Sequence, residues 1–235
     1  MFFTASLIGA GVLLFRHTLR RGEITNTSGD HRPLTRAEAL GEHGELLTQF
    51  KLRETLNCLC GDDYYLHEGP LILVSAPGSN YPTIEIDHLV VTLFGVFVIE
   101  TKHWSGQVDP SPHNDYILRS TKSGETEERK SPLSQNRSKL LFIRTHLPRQ
   151  WAVAGAGVFT SPDANLSPHL PSDLIRLDDM PHWLRTQRDL NKGKPAVDIP
   201  KAVAAILQYR DRSPTAASDH KSRITFKSKG NNQRT

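Results

Sequence analysis

Three chemically active side chains lie in an otherwise apolar stretch, IEIDHLVVTLFGVFVIETK, which covers residues 84–102. Asp87 precedes the first apolar run, and Glu100 and Lys102 end the second. Two neighbouring carboxylates in a partly dry site repel each other unless one is protonated or a cation lies between them. The residue types therefore indicate either a site for a hard divalent cation or a structural ion pair, and spacing alone leaves both open.

The same stretch predicts two antiparallel strands that position these groups. We take residues 92–95 as a four-residue connection in which Gly95 adopts a positive φ. The expected facing pairs are Val91 with Val96, Asp87 with Glu100, and Glu85 with Lys102. Asp87, Glu100 and Lys102 then share one face, whereas a register slip of one residue would send Asp87 to the other face.

Apolar side chains occupy both faces of this predicted strand pair. One face would carry Ile86, Val90, Phe97 and Ile99, and the other would carry Leu89, Val91, Val96 and Val98. A sheet that is apolar on both sides has to be covered on both sides.

Upstream of the strands, a capping box formed by Thr35 and Glu38 predicts the start of a helix that continues to about Leu56. The residues expected to face the core from this helix are Leu46, Leu47, Phe50 and Leu56. Gly41 and Gly44 are costly inside a helix, so we expect either a close approach of the backbone there or a helix that begins nearer Gly44.

Further patterns predict strands at residues 70–75, 115–120 and 153–159, a helix at residues 132–147, and helices that begin at Pro181 and Pro200. This order of elements predicts an α/β domain with a mixed central sheet flanked by helices, preceded by an N-terminal hydrophobic helix.

The chain divides into four predicted regions: a hydrophobic anchor at residues 1–21, a linker at 22–34, a domain at 35–212 and a disordered basic tail at 213–235. The uncharged run of residues 2–15 is followed by Arg16, Arg20 and Arg21, and this charge order favours a cytoplasmic domain on the inner membrane. The run is short for a span of about 20 residues. An interfacial helix or a misassigned start codon would also explain it, and a cytoplasmic protein is the alternative.

Composition adds little about function. The net charge of +4 permits a polyanionic partner but does not demonstrate one. The two cysteines, Cys58 and Cys60, are too few and too close together for a zinc site or a long-range disulfide, so we expect reduced thiols.

The segments GEHGE, IEIDHLVVTLFGVFVIETKHWSGQV and SPLSQNRSKL, taken in this order, resemble the nuclease-related domain (NERD). That family is a branch of the restriction-endonuclease-like, or PD-(D/E)xK, superfamily. The resemblance covers approximately residues 41–147. It implies a restriction-endonuclease-like fold and a Mg²⁺-dependent or Mn²⁺-dependent nuclease that cleaves nucleic acid, with DNA as the expected substrate.

The resemblance also implies roles for individual residues. Asp87 and Glu100 would bind the metal, Glu45 would complete its shell directly or through water, and the backbone carbonyl of Thr101 is a further ligand candidate. Lys102 would be the catalytic lysine, and Gln135 would lie near the substrate phosphate.

Each of these residues also has a structural interpretation. Glu45 could be a solvated helix residue, and Gln135 could cap its own helix. We expect His88 to be a buried, hydrogen-bonded core residue and Trp104 to pack beside the sheet end. For the whole protein, the alternatives to a nuclease are a non-catalytic nucleic-acid-binding module and a membrane-anchored interaction module on the same fold.

Overall fold

The computed structural model describes residues 35–231, with side chains as far as residue 223. The helices of this part of the chain are α1 (Arg36–Cys60), α2 (Pro132–His146), α3 (Met180–Leu190), α4 (Ile199–Leu207) and α5 (Ala216–Asn231). Its strands are β1 (Tyr64–Leu66), β2 (Leu71–Val74), β3 (Thr83–Ile86), β4 (His88–Thr92), β5 (Gly95–Lys102), β6 (Gly106–Pro110), β7 (Tyr116–Ser120), β8 (Thr126–Lys130), β9 (Val153–Phe159), β10 (Ala164–Leu166) and β11 (Leu174–Arg176).

The predicted hydrophobic helix of residues 1–21 and the linker of residues 22–34 lie outside the described residues. Among residues 35–231, no helix is both long enough and apolar enough to cross a membrane.

A five-stranded mixed sheet, in the order β1-β4-β5-β9-β11, forms the centre of the domain. β4 pairs antiparallel with β1 and β5, whereas β9 pairs parallel with β5 and β11. The parallel connection from β5 to β9 contains α2, as a crossover between parallel strands commonly does. The predicted α/β class with a mixed central sheet is therefore confirmed.

Helices cover both faces of this sheet. On one face α1 and α3 bury an apolar cluster that includes Leu52, Val90, Phe97, Ile99, Trp183 and Leu184. On the other face α2 and α4 bury a second cluster that includes Leu89, Val91, Val96, Val98, Ile143 and Ile206. This division matches the predicted faces of the strand pair, except that Ile86 belongs to the second cluster.

The predicted register of the strand pair is correct, although its turn is shorter than expected. Val91 faces Val96, and Thr92 still pairs with Gly95, so residues 93–94 alone make the connection. Gly95 is a strand residue and does not adopt the positive φ that we expected. Its lack of a side chain matters for packing instead, because a Cβ there would lie 2.7 Å from Cζ of Phe97.

The chain leaves the central sheet at Asp87. β3 pairs antiparallel with β2 in a separate two-stranded sheet, in which Glu85 lies opposite Ile72. The predicted pairing of Glu85 with Lys102 is therefore wrong. The break at Asp87 also reverses the direction of Ile86 relative to the β4 side chains, which explains its place in the second cluster.

The first helix begins with the predicted capping box and extends to Cys60. Its buried face comprises Gly44, Thr48, Leu52, Thr55 and Leu56. The prediction that Leu46 and Phe50 face the core is wrong, since each is 70% exposed. The buried stripe begins with the small and polar residues Gly44 and Thr48 and becomes apolar only from Leu52 onward, so apolar periodicity does not reveal its first part.

We expected close packing at both glycines of α1, but only Gly44 is closely packed. A Cβ at Gly44 would lie 2.8 Å from Oγ1 of Thr160 and 3.0 Å from Cβ of His103, whereas a Cβ at Gly41 would have no neighbour within 4 Å. Gly44 therefore permits the close approach of α1 to the ends of β5 and β9, and Gly41 has no such role. Cys58 and Cys60, at the end of the same helix, are free thiols as expected.

Two further regions complete the domain. β10, β6, β7 and β8 form a four-stranded sheet over a small apolar cluster, and β7 is the strand predicted at residues 115–120. Downstream, α5 forms where the sequence predicts a disordered tail. Its first turns are held by buried Ala216 and by His220, whose Nδ1 lies 2.8 Å from Oγ1 of Thr83 on β3. The contact spans more than a hundred residues, so local composition does not reveal it.

Candidate active site

The two strands β4 and β5 bring the predicted acids and lysine together at one end of the central sheet. The backbone N–H of Thr101 donates a hydrogen bond of 2.9 Å to Oδ2 of Asp87. Lys102 Nζ donates one of 2.7 Å to Oε1 of Glu100. Glu100 is only 4% exposed, so this pair lies in an environment with little water.

A second lysine, which the sequence analysis does not single out, lies between the two carboxylates. Lys139 Nζ donates a hydrogen bond to Oε2 of Glu100 and lies 3.6 Å from Oδ1 of Asp87. Lys139 is itself only 8% exposed. One ammonium group therefore bridges the two acids at the position where the sequence predicts a metal ion.

Helix α2 holds Lys139 in this position. Its buried residues are Pro132, Asn136, Lys139 and Ile143, which form one face of the helix. Asn136 Nδ2 donates to the carbonyl oxygens of Val98 and Ala156, at 3.3 Å and 3.1 Å, and so ties the helix to β5 and β9. One signal in the sequence could have revealed Lys139, which is a charged residue on the inward-facing stripe of α2. Lysine is rarely buried unless it is paired, so such a position indicates a buried partner.

Gln135 lies next to the predicted catalytic lysine. Its Oε1 accepts a hydrogen bond of 3.3 Å from Lys102 Nζ, and its Nε2 donates one of 3.1 Å to the carbonyl of Lys130. The side chain thus fixes the start of α2 against the end of β8. It also gives the Lys102 ammonium a second partner besides Glu100.

Two more carboxylates contribute negative charge to the same end of the sheet. Burial, together with the charges of Asp87 and Glu85, raises the pKa of Glu45 on α1 to about 7. Burial and the charge of Asp87 raise the pKa of Glu85 on β3. Glu45 is therefore a half-buried member of an acidic cluster rather than a solvated helix residue, and Glu85 is a member that the sequence analysis missed.

The bridged acids differ in their preference for a proton. Burial and the charge of Glu100 raise the pKa of Asp87, and the two lysines only partly offset them. Burial acts in the same direction on Glu100, but Lys139 and Lys102 outweigh it and lower the pKa of Glu100. Glu100 therefore carries the more firmly held negative charge of the pair.

The donor set suits a hard divalent cation in its chemistry. Glu45, Glu85, Asp87 and Glu100 supply carboxylate oxygens, the ligands that Mg²⁺ prefers. In the described part of the chain, however, no three acidic, histidine or cysteine side chains lie close enough together to hold a metal ion. The acids fit the cation by type and charge, whereas the position between Asp87 and Glu100 holds the Lys139 ammonium.

His88 has the structural role expected of it. It points to the opposite face of the sheet, where its Nδ1 lies 2.8 Å from Oε1 of Gln49 and its Nε2 lies 3.1 Å from Oγ1 of Thr101. Burial lowers the pKa of His88 to about 3, which keeps the ring neutral.

Trp104 also packs as expected beside the sheet end. Its ring makes an edge-to-face contact with Phe159, with 5.8 Å between the two ring centroids. The guanidinium carbon of Arg119 lies 5.7 Å from the centroid of the Trp104 ring.

The fold and this site together define a mixed α/β domain with an acid pair and lysines at one end of its central sheet. The sequence profile of the nuclease-related domain, NERD, matches residues 40–160, just over half of the 235 residues. The chain therefore belongs to the nuclease-related domain family, and this membership is consistent with the PD-(D/E)xK superfamily. Neither the curated proteins nor the solved structures contain a match to the chain.

Proposed function

We propose that this protein is a metal-dependent nuclease that hydrolyses phosphodiester bonds, with DNA as the expected substrate. The observation that carries the proposal is the convergence of Asp87, Glu100 and Lys102 at one buried sheet end in a nuclease-related domain. Asp87, Glu100 and the carbonyl of Thr101 would hold Mg²⁺ or Mn²⁺, and Glu45 would complete the shell directly or through a water molecule. Such an ion, when bound, lowers the pKa of a ligated water and stabilises negative charge on a phosphodiester oxygen.

The protein's own residues would position the reactants. Lys102 would face the scissile phosphate, where its ammonium would orient the attacking water or neutralise charge that develops on phosphorus oxygens. Glu100 and Gln135 hold that ammonium in place through hydrogen bonds of 2.7 Å and 3.3 Å. In the reaction, the water oxygen would bond to phosphorus and release a proton to solvent, while the bond from phosphorus to the leaving ester oxygen would break and that oxygen would take up a proton from solvent.

A cleavage assay on single-stranded and double-stranded DNA and RNA, with and without Mg²⁺ or Mn²⁺, tests the proposal. Asp87→Ala and Lys102→Ala should each abolish cleavage while the protein stays folded. Matched controls are Asp115→Ala and Lys122→Ala, which remove an exposed acid and an exposed lysine that form other ion pairs. Cleavage that persists in both site variants would refute the proposal.

The second candidate is a non-catalytic nucleic-acid-binding module. The observation that favours it is Lys139, which offsets the charge of both acids without any metal. Nucleic-acid binding that needs no divalent ion, without cleavage of any substrate tested, would support this candidate.

We further propose that residues 2–15 anchor the chain in the inner membrane, with the domain in the cytoplasm. The support is the uncharged run followed by Arg16, Arg20 and Arg21. The full chain should sediment with membranes after a high-salt wash, and a chain that begins at residue 22 should not. Equal solubility of the two would refute the attachment.

A further inference from the structure

We infer that Lys139 is the resident counter-ion of the Asp87–Glu100 pair, and that it must leave this position before a divalent cation can bind there. Lys139 would then be a positioning residue that sets the affinity of the site for the metal. The inference rests on the proposed function, because it concerns the same two carboxylates.

The geometry makes the two cations mutually exclusive. Lys139 Nζ uses Oε2 of Glu100 and lies 3.6 Å from Oδ1 of Asp87. Mg²⁺ held by the same carboxylates would need oxygens at about 2.1 Å in a near-octahedral arrangement. An ammonium group and a metal ion cannot share the space between these two side chains.

The remaining oxygens of the pair already have partners. Asp87 Oδ2 accepts from the backbone of Thr101, and Glu100 Oε1 accepts from Lys102. A cation that bridges the acids through Glu100 Oε2 and Asp87 Oδ1, the two oxygens nearest Lys139 Nζ, has to take the position of Lys139.

The displaced ammonium has another acceptor nearby. Glu85 attracts Lys139 electrostatically, and it lies on β3, which pairs with β2 outside the central sheet. A lysine ammonium on its flexible four-carbon stem can move between acceptors. His220 also contacts Glu85, at 3.6 Å from Nε2 to Oε2, so the C-terminal helix borders the space into which Lys139 would move.

A purely structural ion pair makes the opposite prediction about metal affinity. If Lys139 only supports the fold, its removal leaves metal binding unchanged or weakens it through disorder of the acids. If Lys139 competes with the metal, its removal strengthens metal binding, because two buried carboxylates then lack a counter-charge.

Titration calorimetry of the full-length chain with Mn²⁺ and Mg²⁺, together with melting temperatures at zero and saturating metal, separates these cases without any cleavage assay. Lys139→Met should bind Mn²⁺ at least tenfold more tightly than the wild type, and its melting temperature should rise more on metal addition. Lys139→Gln, which keeps a hydrogen-bond donor but no charge, serves as a second neutral variant in case the methionine variant does not fold. Lys139→Arg keeps the charge and should bind no more tightly than the wild type.

Lys122→Met is the matched control, since Lys122 is an exposed lysine that pairs with Asp163 away from the site. Equal or weaker metal binding by both neutral variants would overturn the inference and leave the proposed nuclease intact. Tighter binding by Lys139→Arg, equal to that of the neutral variants, would also overturn it. An absence of metal binding in the wild type and in every variant would overturn both proposals.

Discussion

The backbone N–H of Thr101 on β5 donates a hydrogen bond to Oδ2 of Asp87, which lies between β3 and β4, just beyond the last ladder pair of β4 with β5, His88 with Ile99. Beyond the end of the backbone ladder between β4 and β5, the side chain of Asp87 thus takes the place of a backbone acceptor. It holds the Asp87 carboxylate toward Glu100 at the point where the backbone turns away into β3.

This hydrogen bond predicts that Asp87→Asn folds but is inactive. An amide oxygen can accept from Thr101 as the carboxylate does, so the local structure should persist. The loss of one negative charge should weaken divalent-cation binding and reduce cleavage at least a hundredfold. Calorimetry with Mn²⁺ and the cleavage assay measure these effects, and a melting temperature within a few degrees of the wild type provides the control for folding. Near-normal metal binding by Asp87→Asn would contradict the prediction.

The contact between Lys139 and Glu100 predicts strong energetic coupling. In metal-free buffer, Lys139→Met should lower the free energy of unfolding by about 3 kcal/mol, because it leaves buried carboxylates without their partner. Lys139→Met combined with Glu100→Gln should cost less than the sum of the single changes. Urea unfolding of the four proteins in this cycle measures the coupling. Strict additivity would show that the two side chains do not depend on each other.

The two glycines of α1 form a matched pair for testing helix packing. Gly41→Ala should stabilise the protein by up to about 1 kcal/mol, because alanine favours the helix and the new methyl group meets open space. Gly44→Ala should destabilise it by about 1–3 kcal/mol, since its Cβ would collide with Thr160 and His103. Thermal or urea unfolding distinguishes them, and equal effects at the two positions would contradict the packing of α1 seen here.

The buried His67, which lies away from the candidate site, should make the stability of the protein sensitive to acid. Burial and the charge of Arg210 lower the pKa of His67 to about 4, with Glu68 opposing them and Tyr65 hydrogen-bonded to its Nδ1. An unfolded histidine has a pKa of about 6.5, so the unfolded state binds more protons between these values. The stability that His67 contributes is thus present above pH 6.5 and is lost as the pH falls toward 4.

A variant without this histidine should therefore tolerate acid better. His67→Gln should lose about 2 kcal/mol less unfolding free energy than the wild type between pH 6.5 and pH 4. His113→Gln is the control, because His113 is exposed and pairs with Glu128 on the surface. Urea unfolding at several pH values measures the difference, and parallel pH profiles of His67→Gln and the wild type would refute the assignment.

The sequence by itself determined the strand pair, its register and its two apolar faces. Alternation with period two specifies which residues share a face, and the short connection before Gly95 sets the register in which Val91 faces Val96. The capping box and the proline-initiated helices are also local patterns, and the family resemblance rests on three short segments of the sequence. They were sufficient to place Asp87, Glu100 and Lys102 on one side of the sheet.

Only the tertiary structure decided which other charges join these three. Lys139, Glu85 and Glu45 lie on α2, β3 and α1, and their distances from the acid pair depend on how those elements pack rather than on any repeat in the chain. The exposure of Leu46 and Phe50 and the docking of α5 have the same origin. Long-range packing competes with local periodicity and overrides it where small residues such as Gly44 allow two backbones to approach closely.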